Sequence, residues 1–378
     1  MTGRQGPLAA IRVLELGGIG PGPFCGMMLA DLGSDVIRVD RPGSTSNPVV
    51  GRNRRSLAID LKNPRGAAAV RALVGTCDAV LEGFRPGAAE RLGLGPDDLR
   101  ADKPALVYGR MTGWGRDSPW PSSQATTSTT SRSPGPCTPI GGPGDPVPPL
   151  NLVGDFGGGG MLLALGLTCA LLHAKISGTG QVVDAAMTDG TAALLAMTYG
   201  FLGNGTWQDR RRANRLDGGA PYYRVYRCAD DRHVAVGCIE PQFFAAFLDI
   251  PGLDGDPDFT AQHDESRWPA MHRSLEEIFA AKTRDEWAGL FAGTDACTTP
   301  VLSLTEAPQH PHNAERGTYR TANGVTQPVP APRFHTTPAA EPRPAPQAGQ
   351  HTREVLAEAG LSGHDIQALV ESGTAAQA

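Results

Sequence analysis

No two cysteines in this chain are spaced as CxxC, and none of the seven keeps a zinc-ligand spacing. An odd, unpatterned set in 378 residues argues against a disulfide framework or a structural zinc site and reads as reduced thiols in a cytosol. Excess positive charge is also missing. Lys and Arg number 34 against 39 Asp and Glu, a net charge of −5, which argues against a general nucleic-acid binder. The strongest apolar run, residues 161–173, is shorter than the ~20 residues a membrane span needs. No charged segment followed by an apolar one opens the sequence, so a cytoplasmic location is expected rather than secretion. What is present suffices for a core: 40% hydrophobic and 19% charged residues exclude global disorder. The length predicts two domains, at roughly 100–200 residues each.

The first half alternates strand and helix patterns. Residues 11–15 (IRVLE) form a short apolar strand, 17–23 (GGIGPGP) a turn, 24–32 a helix and 35–39 (DVIRV) a second strand. This βαβ opening predicts a parallel α/β sheet of Rossmann-like type. A helix around 66–74, strands at 79–82 and 105–110, a helix at 161–175 and a strand-to-helix passage through 180–199 continue the pattern. The character changes beyond 203. Residues 222–228 and 233–238 alternate apolar and polar positions around Asp230 and Asp231, the pattern of a β-hairpin. Helical patterns follow at 242–248, 268–281 and 284–292. The predicted organisation is therefore a large domain over 1–200 completed by 326–378, a linker at 201–219, and a smaller α+β domain at 220–325. A proline-rich stretch at 327–350 predicts an extended strap, and 352–361 a terminal helix. Residues 118–139 do not fit. They are dominated by Ser, Thr and Pro without periodicity, and so long a structureless loop inside a compact domain is a warning. With no apolar period to tie it to the core, the segment is expected to be the least ordered part of its domain.

Several runs together resemble the family III CoA-transferase superfamily, and within it the alpha-methylacyl-CoA racemases. They are GIGPGP at 18–23, RNRRSLAIDLK at 52–62, EGFRPGAAERLGLGP at 82–96 and GRMTGWG at 109–115. PVPPLNLVGDFGGGG at 146–160, GQVVDAAMTDG at 180–190, LDGGAPYY at 216–223 and VAVGCIEPQFF at 234–244 complete the set. The resemblance spans nearly the whole chain and departs at 118–139, where the family carries Gly-His-Asp-Ile-Asn-Tyr with a catalytic histidine. Allowed codons for residues 124–130, read one base earlier, spell that same hexapeptide. A base lost near Asp117 and Ser118 and one gained near Pro139 would account for the departure. As it stands, no histidine precedes His173.

The resemblance implies a racemase that exchanges the proton at C2 of 2-methyl-branched acyl-CoA thioesters, working as an interlocked homodimer. No cofactor is implied beyond the CoA moiety of the substrate. Asp155, read from its sequence context alone, is a helix N-cap; the resemblance makes it a catalytic base, with Gly157 to Gly160 allowing close approach of the thioester. Glu240, on local grounds a first-turn acid of the helix that follows, is implied at the cleft, contributed by the partner subunit. His233 reads as an exposed strand residue rather than a replacement base. The CoA phosphates need basic partners, and Arg41, Arg52, Arg54, Arg55, Lys62, Arg85 and Arg91 stand near predicted strand ends, where open α/β sheets bind ligands. The resemblance assigns CoA contacts to Arg41, Ile59, Asp60, Leu61, Lys62, Gly83, Phe84, Arg85 and Arg91. Position 59 is small in the family, so Ile59 departs from it.

Three other readings compete. A nicotinamide-dependent dehydrogenase would explain Asp40 at the end of the second strand, but Pro23 breaks the GxGxxG pattern. A CoA-transferase would need Asp155 as a nucleophile and no histidine. A non-catalytic CoA-binding remnant would follow from the altered segment.

Overall fold

The computed structural model describes residues 4–119, 140–142, 144 and 146–378. Residues 118–139, expected to be the least ordered, therefore lie almost wholly outside the described residues. The chain forms two compact units. The first comprises 1–134, 149–196 and 315–378, and the second 135–148 and 197–314.

In the first unit, β1 (Arg12–Leu16) leads through the glycine-proline turn into α1 (Pro21–Asp31), then β2 (Asp35–Asp40) and β3 (Arg55–Ile59). Helix α2 (Pro64–Val74) starts where the sequence has a good start signal: Asn63 accepts the Arg65 amide at 3.0 Å, with Pro64 following. β4 (Ala79–Glu82), the short α3 (Ala88–Arg91), α4 (Pro96–Asp102) and β5 (Val107–Thr112) come next. A ten-residue π-helical segment, Leu152–Met161, runs straight into α5 (Leu162–Ser177), followed by β6 (Val182–Ala186) and α6 (Met187–Leu194).

The second unit is built on a three-stranded antiparallel sheet. β7 (Tyr223–Arg227) pairs with β8 (His233–Gly237), Tyr223 opposite Gly237 and Arg227 opposite His233. Asp231 takes a positive φ in the expected turn. Helices α7 (Pro241–Asp249), α8 (Trp268–Phe279) and α9 (Arg284–Phe291) follow, and β9 (Thr298–Pro300) pairs with β8. Its core is aromatic: Tyr226 stacks on Phe279 at 5.0 Å between centroids and Phe247 on Phe291 at 5.7 Å. The Tyr226 hydroxyl donates to the Pro221 carbonyl, so this buried phenol is satisfied.

The chain then returns to the first unit. The hairpin β10 (Tyr319–Ala322) and β11 (Val325–Pro328) is followed by an irregular proline-rich stretch. α10 (Thr352–Glu358), α11 (Gly363–Glu371) and the two-residue β12 (Ala375–Ala376) close the chain. The large sheet has the order β12-β3-β2-β1-β4-β5-β6, parallel throughout except that β12 runs antiparallel to β3. Both faces are covered, as parallel sheets require. Leu14, Leu16, Ile37, Val39 and Leu57 pack on α2, α10 and α11, while Val13, Val36, Leu81 and Val107 pack on α1 and α5.

The element boundaries differ from expectation in three respects. Residues 201–219 belong to the second unit, where the Asn214 side chain binds the Gln208 and Arg210 carbonyls and the Asp217 carboxylate. Residues 315–325 belong to the first unit, and α11 and β12 extend the terminus beyond the single expected helix. By length and composition alone the continuous run Leu152–Ser177, 26 residues with a mean hydropathy of 1.6 over an 18-residue window, could cross a membrane, a longer stretch than the apolar run 161–173. One face of it is in the core through Leu163, Leu167 and Leu171, while Leu165, Leu172 and Ile176 are exposed. The six described cysteines are free.

Candidate active site

The strand order places the site. From β1 the chain moves one way to β2 and β3, and later resumes on the other side with β4 and β5. The connections therefore part between β1 and β4, leaving a crevice beyond their carboxyl ends, the usual ligand position in open α/β sheets. The expected CoA-binding residues follow these ends. Arg41 comes directly after β2, Asp60 to Lys62 after β3, and Gly83 to Arg85 after β4, with Arg91 at the end of α3. Arg41, Asp60, Lys62, Gly83, Arg85 and Arg91 are exposed, Leu61 and Phe84 half-buried. Ile59 is buried in the apolar core, where its side chain is a packing group, and it lies opposite Ala375 of β12.

Asp155 sits on the same unit, inside the π-helical segment. The expected N-cap role does not hold: the N-cap position is Asn151, the fourth residue before it, and no side chain caps this end. The Phe156 amide reaches the Asn151 carbonyl at 3.0 Å, an i to i−5 bond. π-helical turns carry a local energetic penalty and recur at functional sites. The Asp155 carboxylate is half-buried and faces the turn after β1; a Cβ added to Gly20 would lie 3.4 Å from Asp155 Oδ2. Gly20 has φ of 70°, which a larger residue adopts at a cost. Phe156 stacks on Phe24 at 4.3 Å between centroids, fastening the segment to α1.

The following glycines serve packing. A Cβ on Gly160 would lie 2.8 Å from both the Pro21 carbonyl and the Phe24 ring, and one on Gly158 2.7 Å from Thr191. Gly158 to Gly160 thus let the segment close onto α1 and α6. A run of small residues can serve packing or a ligand, and only neighbours distinguish the two.

Arg52, Arg54 and Arg55, grouped with phosphate-binding candidates in the sequence, point inward instead. Arg52 binds Asp31 with Nη2 at 2.6 Å from Oδ2, and donates to Gln327 and the Pro328 carbonyl. Arg55 binds Asp35, Glu354 and Glu358. Arg54 meets Glu15 at 2.9 Å with both side chains 1% exposed. It also donates to the Pro23 and Val50 carbonyls, so it holds the first turn of α1, which follows the Gly20 that faces Asp155. Burial pushes the Glu15 carboxyl upward, and the Arg54 guanidinium opposes that shift. A charged residue inside the apolar strand RVLEL was the available signal for this pair.

A second buried charge lies at the crevice edge. Burial raises Glu82 to about 7; the Phe84 amide and Arg110 pull the other way. Its Oε2 accepts the Phe84 N–H at 2.7 Å, and Arg110 Nε lies 3.3 Å from Oε1.

In the second unit, Glu240 occupies the N-cap position of α7 without capping through its side chain, and is exposed. His233 is an exposed strand residue, as read from its turn. No cluster of His, Cys, Asp and Glu among the described residues suits a metal ion.

This carboxylate and sheet edge can be set beside known proteins. The chain is 43% identical over 365 residues to the alpha-methylacyl-CoA racemase of Mus musculus, covering 96% of each. It is 31% identical over 400 residues to the succinyl-CoA--D-citramalate CoA-transferase of Chloroflexus aurantiacus, again covering 96% of each. The solved structure of a CAIB/BAIF family protein from Brucella suis shares the fold with a TM-score of 0.81 at 24% identity, over 94% of this chain and 100% of that one. The model of CoA-transferase family III matches residues 8–352, and this chain belongs to that family.

Proposed function

We propose that this chain is built to racemise 2-methyl-branched acyl-CoA thioesters by α-proton exchange, with Asp155 as one of two bases. The observation that carries the reading is the Asp155 carboxylate facing Gly20, beyond the carboxyl end of β1. The greater identity to the racemase than to the transferase supports it. The thioester acidifies the hydrogen on C2. One base takes that proton, the C–H electron pair passes into an enolate, and a base on the opposite face returns a proton to C2. Backbone N–H groups stabilise the enolate oxygen. The CoA phosphates are met by Arg41, Lys62, Arg85 and Arg91, and no cofactor beyond CoA is required.

The opposite base would be the histidine of the Gly-His-Asp-Ile-Asn-Tyr stretch that allowed codons for residues 124–130 would spell in the shifted frame. Sequencing the coding DNA across codons 116–141 tests that origin. The chain with the sequence given is expected to bind CoA yet racemise poorly, since one positioned acid–base group contributes ~10²–10⁴-fold. A homodimer is part of the proposal, with Glu240 joining the site from the second chain to orient the histidine. The exposed stripe Leu165, Leu172 and Ile176 on α5 supports an apolar partner surface.

The second reading is CoA transfer. Asp155 would attack the thioester carbonyl, expel the CoA thiolate and form an acyl anhydride. The absence of any histidine before His173 favours it, because this chemistry needs none. The test incubates each enantiomer of a 2-methylacyl-CoA in D₂O with this chain, the frame-restored chain and the restored Asp155→Asn variant. Racemisation by the restored chain alone, abolished in Asp155→Asn, is expected. Normal turnover by the restored Asp155→Asn variant would refute the role of Asp155, equal racemisation by both chains would refute the role of the histidine, and acceptor-dependent thioester exchange would favour the transferase.

A further inference from the structure

The segment between β4 and α4 carries four of the proposed CoA-binding residues, Gly83, Phe84, Arg85 and Arg91, all exposed except the half-buried Phe84. An exposed loop of this kind needs something to hold its backbone. Beneath it lies a ladder of charged residues across the sheet. Glu82 on β4 stands in register with Arg110 on β5, and Arg110 with Asp184 on β6. Neighbours in register project to the same face. Glu82 and Arg110 are almost fully buried.

This ladder reaches the loop at two points, and Tyr108 beside it at a third. Glu82 Oε2 accepts the Phe84 amide at 2.7 Å, in the middle of Gly83 to Arg85. Arg110 Nη2 donates to Glu90 Oε1 at 2.6 Å, and Glu90 is the residue before Arg91. The Tyr108 hydroxyl, under the Arg110 guanidinium at 5.3 Å from the ring centroid, donates to the Leu94 carbonyl at 2.8 Å. The residue spanned by the first contact matters most, since the carboxylate of one residue orients the peptide two residues on.

We propose that Glu82, braced by Arg110, is a positioning residue that holds the backbone of Gly83 to Arg91 in the form that meets the CoA phosphates. Glu82 touches no substrate in this role; it acts through the Phe84 amide. This rests on the reading that Gly83, Arg85 and Arg91 bind CoA. A purely structural Glu82 would lower stability without changing affinity in the folded protein. A positioning Glu82 loosens one loop and weakens one ligand, because a preorganised loop binds without first being ordered.

The experiment measures CoA affinity by calorimetry on the full chain, which requires no turnover, together with amide hydrogen exchange. Glu82→Ala is expected to weaken CoA binding about tenfold, and to speed exchange within 83–94 while the rest of the first unit stays protected. Glu82→Gln keeps an acceptor for the Phe84 amide and is expected to recover part of the affinity, and it serves alone if the alanine variant does not fold. Unchanged affinity in both variants, or exchange accelerated across the whole unit, would overturn the proposal. Arg85→Ala and Arg91→Ala separate this from the reading beneath it. If they leave CoA affinity unchanged, the CoA site itself is misassigned; if they weaken it while the Glu82 variants do not, only the positioning role fails.

Discussion

Replacing Gly26 by alanine is expected to destabilise the first unit, against the usual sign for a helix interior. Gly26 lies within α1, and exchanging glycine for alanine in a helix ordinarily gains ~1 kcal/mol. Here the new Cβ would overlap the Glu15 carboxylate and lie 2.6 Å from Arg54 Nη2. Ends of flexible side chains usually give way, but these two are 1% exposed. Arg54 is further tied to the Pro23 and Val50 carbonyls. Parting a buried ion pair costs about 3–5 kcal/mol when one charge is left uncompensated. The net loss is therefore about 2–4 kcal/mol, a fall of about 5–10 °C in the melting transition of a unit this size. Gly22→Ala is the control, because nothing lies within 4 Å of a Cβ there. Urea and thermal unfolding of both variants would check the difference. If Gly26→Ala melts at or above the parent temperature, the Glu15–Arg54 pair has slack and does not clamp the turn at Pro23.

Three other outcomes follow from the charges. Arg52→Ala should lower the melting temperature by breaking its buried pair with Asp31, whereas Arg41→Ala should leave it within about 2 °C and weaken CoA binding in a salt-dependent way; differential scanning calorimetry and calorimetric titration separate the two. Glu82, raised to about 7 by burial, binds a proton more tightly folded than unfolded. Its contribution to stability is thus full below the unfolded value near 4.5 and is lost as pH rises through 7, so urea midpoints of parent and Glu82→Gln should diverge between pH 5 and 8, with the parent falling; a parent that gains on the variant over that range would refute the burial argument. Glu306 has the opposite sign. Arg284 and the Ser303 hydrogen bonds hold it down to about 2, so its contribution is present above 4.5 and lost as pH falls through 2, and Glu306→Gln should flatten the acid limb of an unfolding curve followed by tryptophan fluorescence.

The linear pattern of residues was enough for much of this protein, and the physical reason is locality. Strands such as DVIRV and the hairpin around Asp230 and Asp231 declare themselves through periods of side chains and turn residues only a few positions apart. The family was legible for a related reason: many short runs keep their order along nearly the whole chain. The candidate site was legible in part, because candidates such as Arg41 and Arg85 stand shortly after recognisable strands.

Tertiary structure decided what depends on neighbours remote in sequence. Arg52 and Arg41 look alike as exposed basics until Asp31 and the β10–β11 hairpin, more than 270 residues away at Gln327, close over Arg52. Asp155 resembles a helix cap until the backbone passes it in a π-helical turn, and the packing role of the glycines after it shows only where Pro21, Phe24 and Thr191 fill the space beside them. The pairing of β12 with β3 has no period to announce it, being two residues long. Charge shows the same division. Composition establishes a net charge of −5, but whether a carboxyl is driven up like Glu82 or down like Glu306 depends on how much water burial removes and which guanidinium the fold brings within reach.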